Sequence, residues 1–168
     1  MRRFTPFALL LVGALAVGFG CNKSDKQQGA SASGSGKMAG GQNTLYNRLG
    51  GEKAIQAVVH SFVQRGAADP KVNFTRKGHP NEWDATPQNV AKLEKRLVEF
   101  IGMATGGPQK YQGRDMVTSH TGMKITEAEF NALAGHLIAA LDEFKVPQKE
   151  KDELVAIVAG TKDQIVGK

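Results

Sequence analysis

The chain has 168 residues, with 22 Lys and Arg against 16 Asp and Glu, a formal net charge of +6. This length suggests one domain with appendages. The net charge is +4 without Arg2 and Arg3, and no run of Lys and Arg alternates with aromatic residues. The composition therefore gives no indication of a nucleic-acid-binding surface.

The first twenty residues resemble a bacterial lipoprotein signal. A basic start, "MRRF", precedes the apolar run "FALLLVGALAVGFG", which is too short for a comfortable membrane span. The run ends with Gly20 before Cys21, the only cysteine of the chain, which has no partner for an intramolecular disulfide. The resemblance implies that residues 1–20 are removed and that Cys21 is lipidated. The alternative is an ordinary secretory signal, or an uncleaved anchor, with an incidental cysteine.

The stretch that follows predicts a flexible tether. Residues 21–43 consist mainly of Gly, Ser, Ala and Gln and have almost no bulky apolar side chains. Such a segment cannot bury enough surface to fold. We expect it to connect a lipid anchor on Cys21 to a folded domain over residues 44–168. That arrangement predicts a cell-envelope protein, lipid-anchored to a bacterial membrane and facing the periplasm or the exterior.

The domain itself is predicted to be all-α. "TLYNRLGG" forms a short helix that ends at two glycines, and three longer stretches have apolar residues at helical spacing. The loop "NFTRKGHPNEWDATP" lacks periodicity, "GRDMVTSHT" is a short helix, and Pro147 begins a last helix that extends to Ile165. The predicted inward-facing residues of the three long helices are Ile55, Val58, Val59, Phe62 and Val63, then Val90, Leu93, Leu97, Phe100 and Ile101, then Phe130, Leu133, Leu137, Ile138, Leu141 and Phe144. Thr126 and Glu129 form a capping box before the third.

Most common catalytic motifs are absent from the sequence. No GxGxxG or phosphate-binding loop precedes a helix, no HExxH occurs, and Ser61 and Ser119 lie in no nucleophile motif. The four histidines, His60, His79, His120 and His136, are not three or four residues apart, so no local zinc pair is predicted.

Three motifs in order resemble the group I truncated haemoglobins, a branch of the globins. They are "LYNRLGG", "GGPQKYQGRDMVTSH" and "ITEAEFNALAGHL", and the resemblance extends from about Thr44 to Val166. It implies a shortened globin fold, a two-over-two helical sandwich that binds haem b. Glycine pairs at residues 50–51 and 106–107 match the tight turns of the family, for which glycine is suited by its freedom at positive φ.

The resemblance assigns the iron ligand to His120, which matches the family's proximal histidine. Globin iron takes a neutral imidazole as its fifth ligand. Met116 and Ile125 flank this position and are expected to press on the porphyrin. Four phenylalanines match apolar positions of the haem pocket: Phe62, Phe74, Phe100 and Phe130.

The distal side departs from the family. A tyrosine commonly stands where this chain has Val63 and donates a hydrogen bond to bound dioxygen, and two further distal positions match Leu93 and Leu97. The resemblance therefore implies an apolar distal pocket that holds dioxygen weakly. The binding of carbon monoxide and nitric oxide should be weakened less. Arg96 and Tyr111 match positions near the haem edge and are expected to reach the propionates, Arg96 by an ion pair.

The function that the resemblance implies is the binding of a diatomic gas, for oxygen carriage or gas sensing, with a reductase as a candidate partner. One alternative is a nitric oxide dioxygenase, although Val63 argues against the stable dioxygen complex it needs. Another is a redox module with a second iron ligand, for which His79 and His60 are the candidates by residue type, with His60 pointing elsewhere on its helix. A third is a degenerate globin that has lost haem, which the intact His120 argues against.

Overall fold

Seven helices form in chain order in a computed structural model that describes residues 43–168. They are α1 (Leu45–Arg48), α2 (Gly51–Ala68), α3 (Pro87–Ala104), α4 (Met116–His120), α5 (Glu127–Glu143), α6 (Gln148–Ala159) and α7 (Lys162–Ile165). The predicted signal peptide, the predicted lipidation site Cys21 and nearly all of the predicted tether lie outside the described residues. Within residues 43–168, no helix has both the length and the hydropathy needed to cross a bilayer.

Side-chain caps explain where four of the helices begin. The side chains of Thr44, Thr86, Asp115 and Thr126 accept hydrogen bonds from backbone N–H groups in the first turns of α1, α3, α4 and α5. These bonds satisfy donors that a helix start leaves without partners. At α5 the predicted capping box is complete, because Glu129 also accepts from the Thr126 backbone N–H.

Two helix pairs pack to form the sandwich. Helix α2 packs against α3 and α5, and α5 packs against α6, so the α2–α3 pair meets the α5–α6 pair through α2 and α5. Val59, Val63, Leu141 and Leu154 are the largest fully buried side chains of this core. The predicted all-α, two-over-two fold is confirmed, and in the described residues the only β-type pairing is an isolated bridge between Ile125 and Val166.

Glycine permits the turns that close this short chain. Gly50, between α1 and α2, has φ +94°, and a Cβ there would lie 2.9 Å from the Cβ of Ala54. Gly106, after α3, has φ +83° and lies against Thr44. Both conformations are unfavourable for a residue with a side chain, and they bring the end of α3 back to α1, where the Tyr46 N–H donates to the Thr105 carbonyl.

Two details differ from the sequence-based expectation. The last helix is not continuous to Ile165: the Thr161 hydroxyl donates to the Val158 carbonyl at 2.7 Å in a tight turn that separates α6 from α7. Two residues predicted to face inward on α5 and its C-cap, Ile138 and Phe144, are 40% and 44% exposed. Both occupy the edge of the apolar stripe, where helical spacing alone does not decide burial.

Candidate functional site

Two cavities are candidates for a ligand site, and their linings differ in chemistry. The first, of about 250 Å³, is bounded mainly by hydrocarbon side chains from α2 to α7 and includes His120. The second, of about 600 Å³, is a more open groove along α2 and α3 lined largely by polar residues such as Glu52, His60 and Glu94. Ligand sites are mostly apolar with a few placed polar groups, so the first cavity is the candidate site.

The long helices supply a purely apolar part of this cavity. Its members, which we call the α2–α3 lining, are Phe62, Leu93, Leu97, Phe100 and Ile101. Helical spacing brings these side chains to one place, since α2 and α3 pack along their apolar stripes. No side chain of this lining has a hydrogen-bonding group, so it can offer a ligand only hydrocarbon contacts.

A second part of the cavity comes from the short helix α4 and the turn after it. Its members, which we call the α4 lining, are Met116, His120, Met123 and Ile125. Asp115 caps α4 by accepting from the Thr118 N–H at 2.9 Å, and α4 packs against α7. The following turn is tied to the last residues of the chain, because the Lys124 N–H donates to the Lys168 carbonyl and the Gly167 N–H to the Ile125 carbonyl.

The imidazole of His120 is held in one orientation. Its Nδ1 lies 2.7 Å from the carbonyl oxygen of Met116, one turn earlier in α4. Because a carbonyl oxygen can only accept, Nδ1 makes this contact through its N–H, and Nε2 is the ring nitrogen that is available to bind a metal. Metal-binding histidines are oriented in this way, by a hydrogen bond from the ring nitrogen that does not bind the metal. Since His120 lines the cavity, it places an imidazole in the wall of a largely apolar chamber.

Further lining residues come from α5, α6 and α7. They are Glu129, Phe130, Leu133, Ala134, Leu137, Val158, Thr161 and Ile165. The middle loop between α2 and α3 contributes Val72, Asn73, Phe74, Arg76 and Trp83. Phe74 and Trp83 pack ring against ring, with centroids 5.7 Å apart, and the Trp83 indole N–H donates to the Phe74 carbonyl at 3.1 Å.

Most residues predicted from sequence for this pocket lie on its surface. Those that line the cavity are Phe62, Phe74, Leu93, Leu97, Phe100, Met116, His120, Ile125 and Phe130. Val63 is fully buried in the helical core and does not line the cavity. Its proposed place beside a gas ligand therefore stays a prediction.

The two residues predicted at the haem edge also lie away from the cavity surface. Arg96 donates to Glu99 at 2.7 Å, and this hydrogen bond holds the pKa of the Glu99 carboxyl below its usual value. Tyr111 packs edge-on against Phe100, with ring centroids 5.9 Å apart. Neither residue lines the cavity as the structure describes it, and their roles stay predictions.

The other histidines do not line the cavity. The His60 side chain is 65% exposed and pairs with Glu94 at 2.9 Å. His79 has its Nε2 3.3 Å from a guanidinium nitrogen of Arg76, which can only donate, so that lone pair is already engaged. His136 pairs with Asp69 at 2.8 Å. Across residues 43–168, no three His, Cys, Asp or Glu side chains gather in a metal-binding group.

An ion pair at the cavity, between a buried arginine and a half-buried glutamate, was missed from the sequence. Arg76 of the middle loop donates to Glu129 of α5 at 2.7 Å, and both residues line the cavity. Burial alone would raise the pKa of Glu129, but hydrogen bonds from the Thr126 N–H and from Arg76 outweigh it and lower the pKa. A lone arginine in a non-periodic loop gives no sequence signal of burial, and Glu129 was identified only for its capping role.

A family model and curated relatives match the same region of the chain. The family model described as a bacterial-like globin matches residues 44–166. The group 1 truncated haemoglobin of Mycolicibacterium paratuberculosis is 34% identical over 116 residues, which are 69% of this chain and 79% of that protein. The group 1 truncated haemoglobin of Tetrahymena pyriformis is 30% identical over 125 residues, 74% of this chain and 96% of that one.

Solved structures are similar over the same region. The truncated haemoglobin of Tetrahymena pyriformis in its Fe(III) form superposes with a TM-score of 0.65 at 30% identity, covering 74% of this chain and 99% of that one. The 2/2 haemoglobin of Synechococcus sp., in the cyanomet state with covalently attached haem, gives a TM-score of 0.62 at 28% identity, with 74% and 99% coverage.

Proposed function

The chain belongs to the bacterial-like globin family, and from that premise we propose that it binds haem b and a diatomic gas, with weak retention of dioxygen, at a bacterial cell envelope. The observation that carries the proposal is His120. Its Nδ1–H is fixed on the Met116 carbonyl, which leaves Nε2 as a lone-pair donor in an otherwise largely apolar cavity. That combination suits a flat hydrophobic cofactor with one metal position to fill.

The residues of the cavity fit haem. His120 would hold the iron, and Met116, Ile125, Phe62, Phe100 and other apolar lining residues would surround the macrocycle. When bound, haem supplies an iron with a coordination position open to a diatomic gas. The protein's own contribution is to orient the imidazole, to exclude water with hydrocarbon and to set the polarity around the gas.

The α2–α3 lining favours a gas that needs no hydrogen bond. Dioxygen gains partial negative charge on binding to ferrous haem and is stabilised by a donor, whereas carbon monoxide and nitric oxide depend on one less. Because Phe62, Leu93 and Leu97 offer none, we expect weak retention of dioxygen. This argues against the nitric oxide dioxygenase alternative, which needs a long-lived dioxygen complex. Since carbon monoxide and dioxygen bind the ferrous form, an electron donor is part of the proposal.

A redox module with two histidine ligands has less support. Of the histidines in the described part of the chain, His120 is the only one that lines the cavity. The engagement of His79 with Arg76 and the exposure of His60 leave no second imidazole at the iron position in this arrangement.

Absorption spectra of the purified protein test the proposal. In the ferric, ferrous and ferrous carbonmonoxy forms we expect a Soret band, a five-coordinate ferrous spectrum and a complete shift on addition of carbon monoxide. Stopped-flow mixing then measures dioxygen release. A protein that takes up no haem contradicts the assignment, and a six-coordinate ferrous form that resists carbon monoxide supports the redox module instead.

The location rests on the sequence of residues 1–43. The apolar run that ends at Cys21 and the tether of small polar residues after it support a lipid-anchored domain. A single acyl chain binds a membrane only marginally, so stable attachment needs the several chains of a lipoprotein. Expressed whole in a bacterium, the protein should partition into detergent, and Cys21→Ser should abolish this while Ser24→Ala does not. A mature N-terminus other than Cys21, or an unlipidated Cys21, contradicts the proposal.

A further inference from the structure

A guanidinium group lies in the wall of the largely apolar cavity. Arg76 belongs to the middle loop, is only 3% exposed and lines the cavity together with His120. Its backbone has φ +57°, a left-handed conformation that is uncommon for residues other than glycine. Arginine is almost never this buried unless it is paired, so its partners decide what it does.

The partners of Arg76 hold its two terminal nitrogens. Nη1 donates to Glu129 at 2.7 Å, and Nη2 lies 3.3 Å from His79 Nε2 and 3.5 Å from the Lys124 carbonyl. The second carboxylate oxygen of Glu129 is already engaged by the Thr126 N–H and hydroxyl, at 2.7 and 2.9 Å. Glu129 therefore anchors one end of the guanidinium through its first carboxylate oxygen, while its second oxygen caps α5.

The remaining nitrogen of the Arg76 guanidinium, Nε, has no acceptor among the described residues. Nε is buried and makes no hydrogen bond to any residue in the described part of the chain. A buried N–H without an acceptor is costly, and more so when it belongs to a charged group. Because Arg76 lines a cavity that holds a cofactor in this family, an acceptor inside the cavity accounts for a donor that the protein leaves free.

We propose that Arg76 is the anion-recognition residue of this cavity, and that Glu129 compensates part of its charge. Its ligand chemistry is an anion presented by an occupant of the cavity, which has two sources: a carboxylate of the haem, or a small anion bound with it. Charge-assisted hydrogen bonds from arginine are strong and directional. The inference rests on the proposed haem binding and adds a second polar contact to that of His120.

Two measurements on the haem-loaded full chain distinguish the two sources. The first is the rate of haem transfer to an excess of an acceptor apoglobin, measured with haem and with haem dimethyl ester, which lacks the carboxylates. The second is the dissociation constant of fluoride for the ferric form at fixed pH and ionic strength. The variants are Arg76→Met, Arg76→Lys and Glu129→Gln. Arg65→Met is the matched control, because Arg65 also pairs with a glutamate, Glu143, but does not line the cavity.

If the haem carboxylate is the ligand, Arg76→Met should speed transfer of haem about tenfold and leave transfer of the dimethyl ester within about twofold, as expected for one charge-assisted hydrogen bond. If a small anion is the ligand, Arg76→Met should raise the fluoride dissociation constant about tenfold instead. Arg76→Lys keeps the charge without the Nε donor and should fall between wild type and Arg76→Met. Either pattern supports the proposal.

The variant Glu129→Gln separates recognition from a merely structural role. Glutamine keeps the capping contacts with Thr126 but removes the charge that compensates Arg76. It should slow haem transfer or tighten fluoride binding, opposite in direction to Arg76→Met. A structural ion pair instead predicts that both variants loosen the site in the same direction, for haem and dimethyl ester alike. That outcome, or Arg76→Met readouts within twofold of Arg65→Met, overturns the proposal.

The remaining outcomes are also decisive. If Arg76→Met fails to fold, the direction of the Glu129→Gln effect decides: a tighter site supports the proposal, and an unchanged or looser site overturns it. A wild-type protein without a Soret band ends the haem assignment and this inference together. A normal Soret band with unaffected variants removes only the role of Arg76.

Discussion

The α4 lining and the α2–α3 lining bound the same cavity but are built in opposite ways. The first comes from a five-residue helix and the turn after it, and it contains an imidazole held in one orientation. The second comes from two eighteen-residue helices and contains only hydrocarbon. A five-residue helix is not stable by itself, so the Asp115 cap and packing on α7 must hold it. Under the proposed function, cofactor retention would depend on a tertiary arrangement, and gas selectivity on single side chains of two long helices.

The largest effect should come from removing the nitrogen of the α4 lining. His120→Gly should speed haem loss by more than the roughly 10- to 100-fold that loss of an outer partner of a metal ligand costs, because the ligand itself disappears. Added imidazole should restore binding by filling the space left by the ring. The measurements are the Soret band and the rate of haem transfer with and without imidazole. His60→Ala is the control, since that side chain is exposed.

An unchanged Soret band and ferrous spectrum in His120→Gly would show that another residue holds the iron. The contrast between the two linings would then be wrong at its central point, because the oriented Nε2 would have no function.

A smaller but selective effect should follow from giving the α2–α3 lining a donor. Leu97→Gln places an amide N–H in the cavity. A hydrogen bond to a partly charged acceptor contributes about 1.5–3 kcal/mol, and every 1.4 kcal/mol is about tenfold. Dioxygen should therefore dissociate about 10- to 100-fold more slowly, with a much smaller change for carbon monoxide. Stopped-flow release rates measure both, and Leu97→Met controls for side-chain size.

The family resemblance suggests the same test at Val63, where the outcome is less direct. Val63 is fully buried in the core, so Val63→Tyr should lower the free energy of unfolding by about 1–3 kcal/mol through overpacking. If the new hydroxyl reaches the cavity, Val63→Tyr should release dioxygen more slowly than Val63→Phe, which has the same ring without the donor. Equal release rates for the two variants would place this position outside the reach of the ligand. A wild type that already retains dioxygen would direct attention to Arg76, the free donor in the wall.

Whether the sequence could predict a site residue depends on how that residue's position arises. Helical periodicity predicted that Phe62, Leu93 and Leu97 face inward, and the family resemblance matched them to the haem pocket. His120 followed from a resemblance, because its helix is too short to show periodicity. Arg76 could not be predicted: its burial depends on a left-handed loop residue and on Glu129, which is 53 positions away. Val63 shows the converse, since a matched position does not specify whether the side chain faces the cavity or the core.

The smallest effect concerns the support of the α4 lining by Asp115. Hydrogen bonds from the Thr118 side chain and backbone lower the pKa of this carboxyl below its ordinary value of 3.8. Because the folded state then binds the proton less readily than the unfolded chain, the stabilisation is complete above the unfolded pKa and is lost as pH falls through the folded one.

Asp115→Asn keeps a good cap and should match wild type near neutral pH, but it should lose less stability on acidification. Asp115→Ala removes the cap and should lower Tm by a few degrees at neutral pH, with slightly faster haem loss. Thermal unfolding measured from neutral pH to below pH 4 checks these expectations. If wild type and Asp115→Asn lose stability with the same acid profile, the charge of Asp115 contributes nothing to α4, and its side chain supports the short helix only as a neutral hydrogen-bond acceptor would.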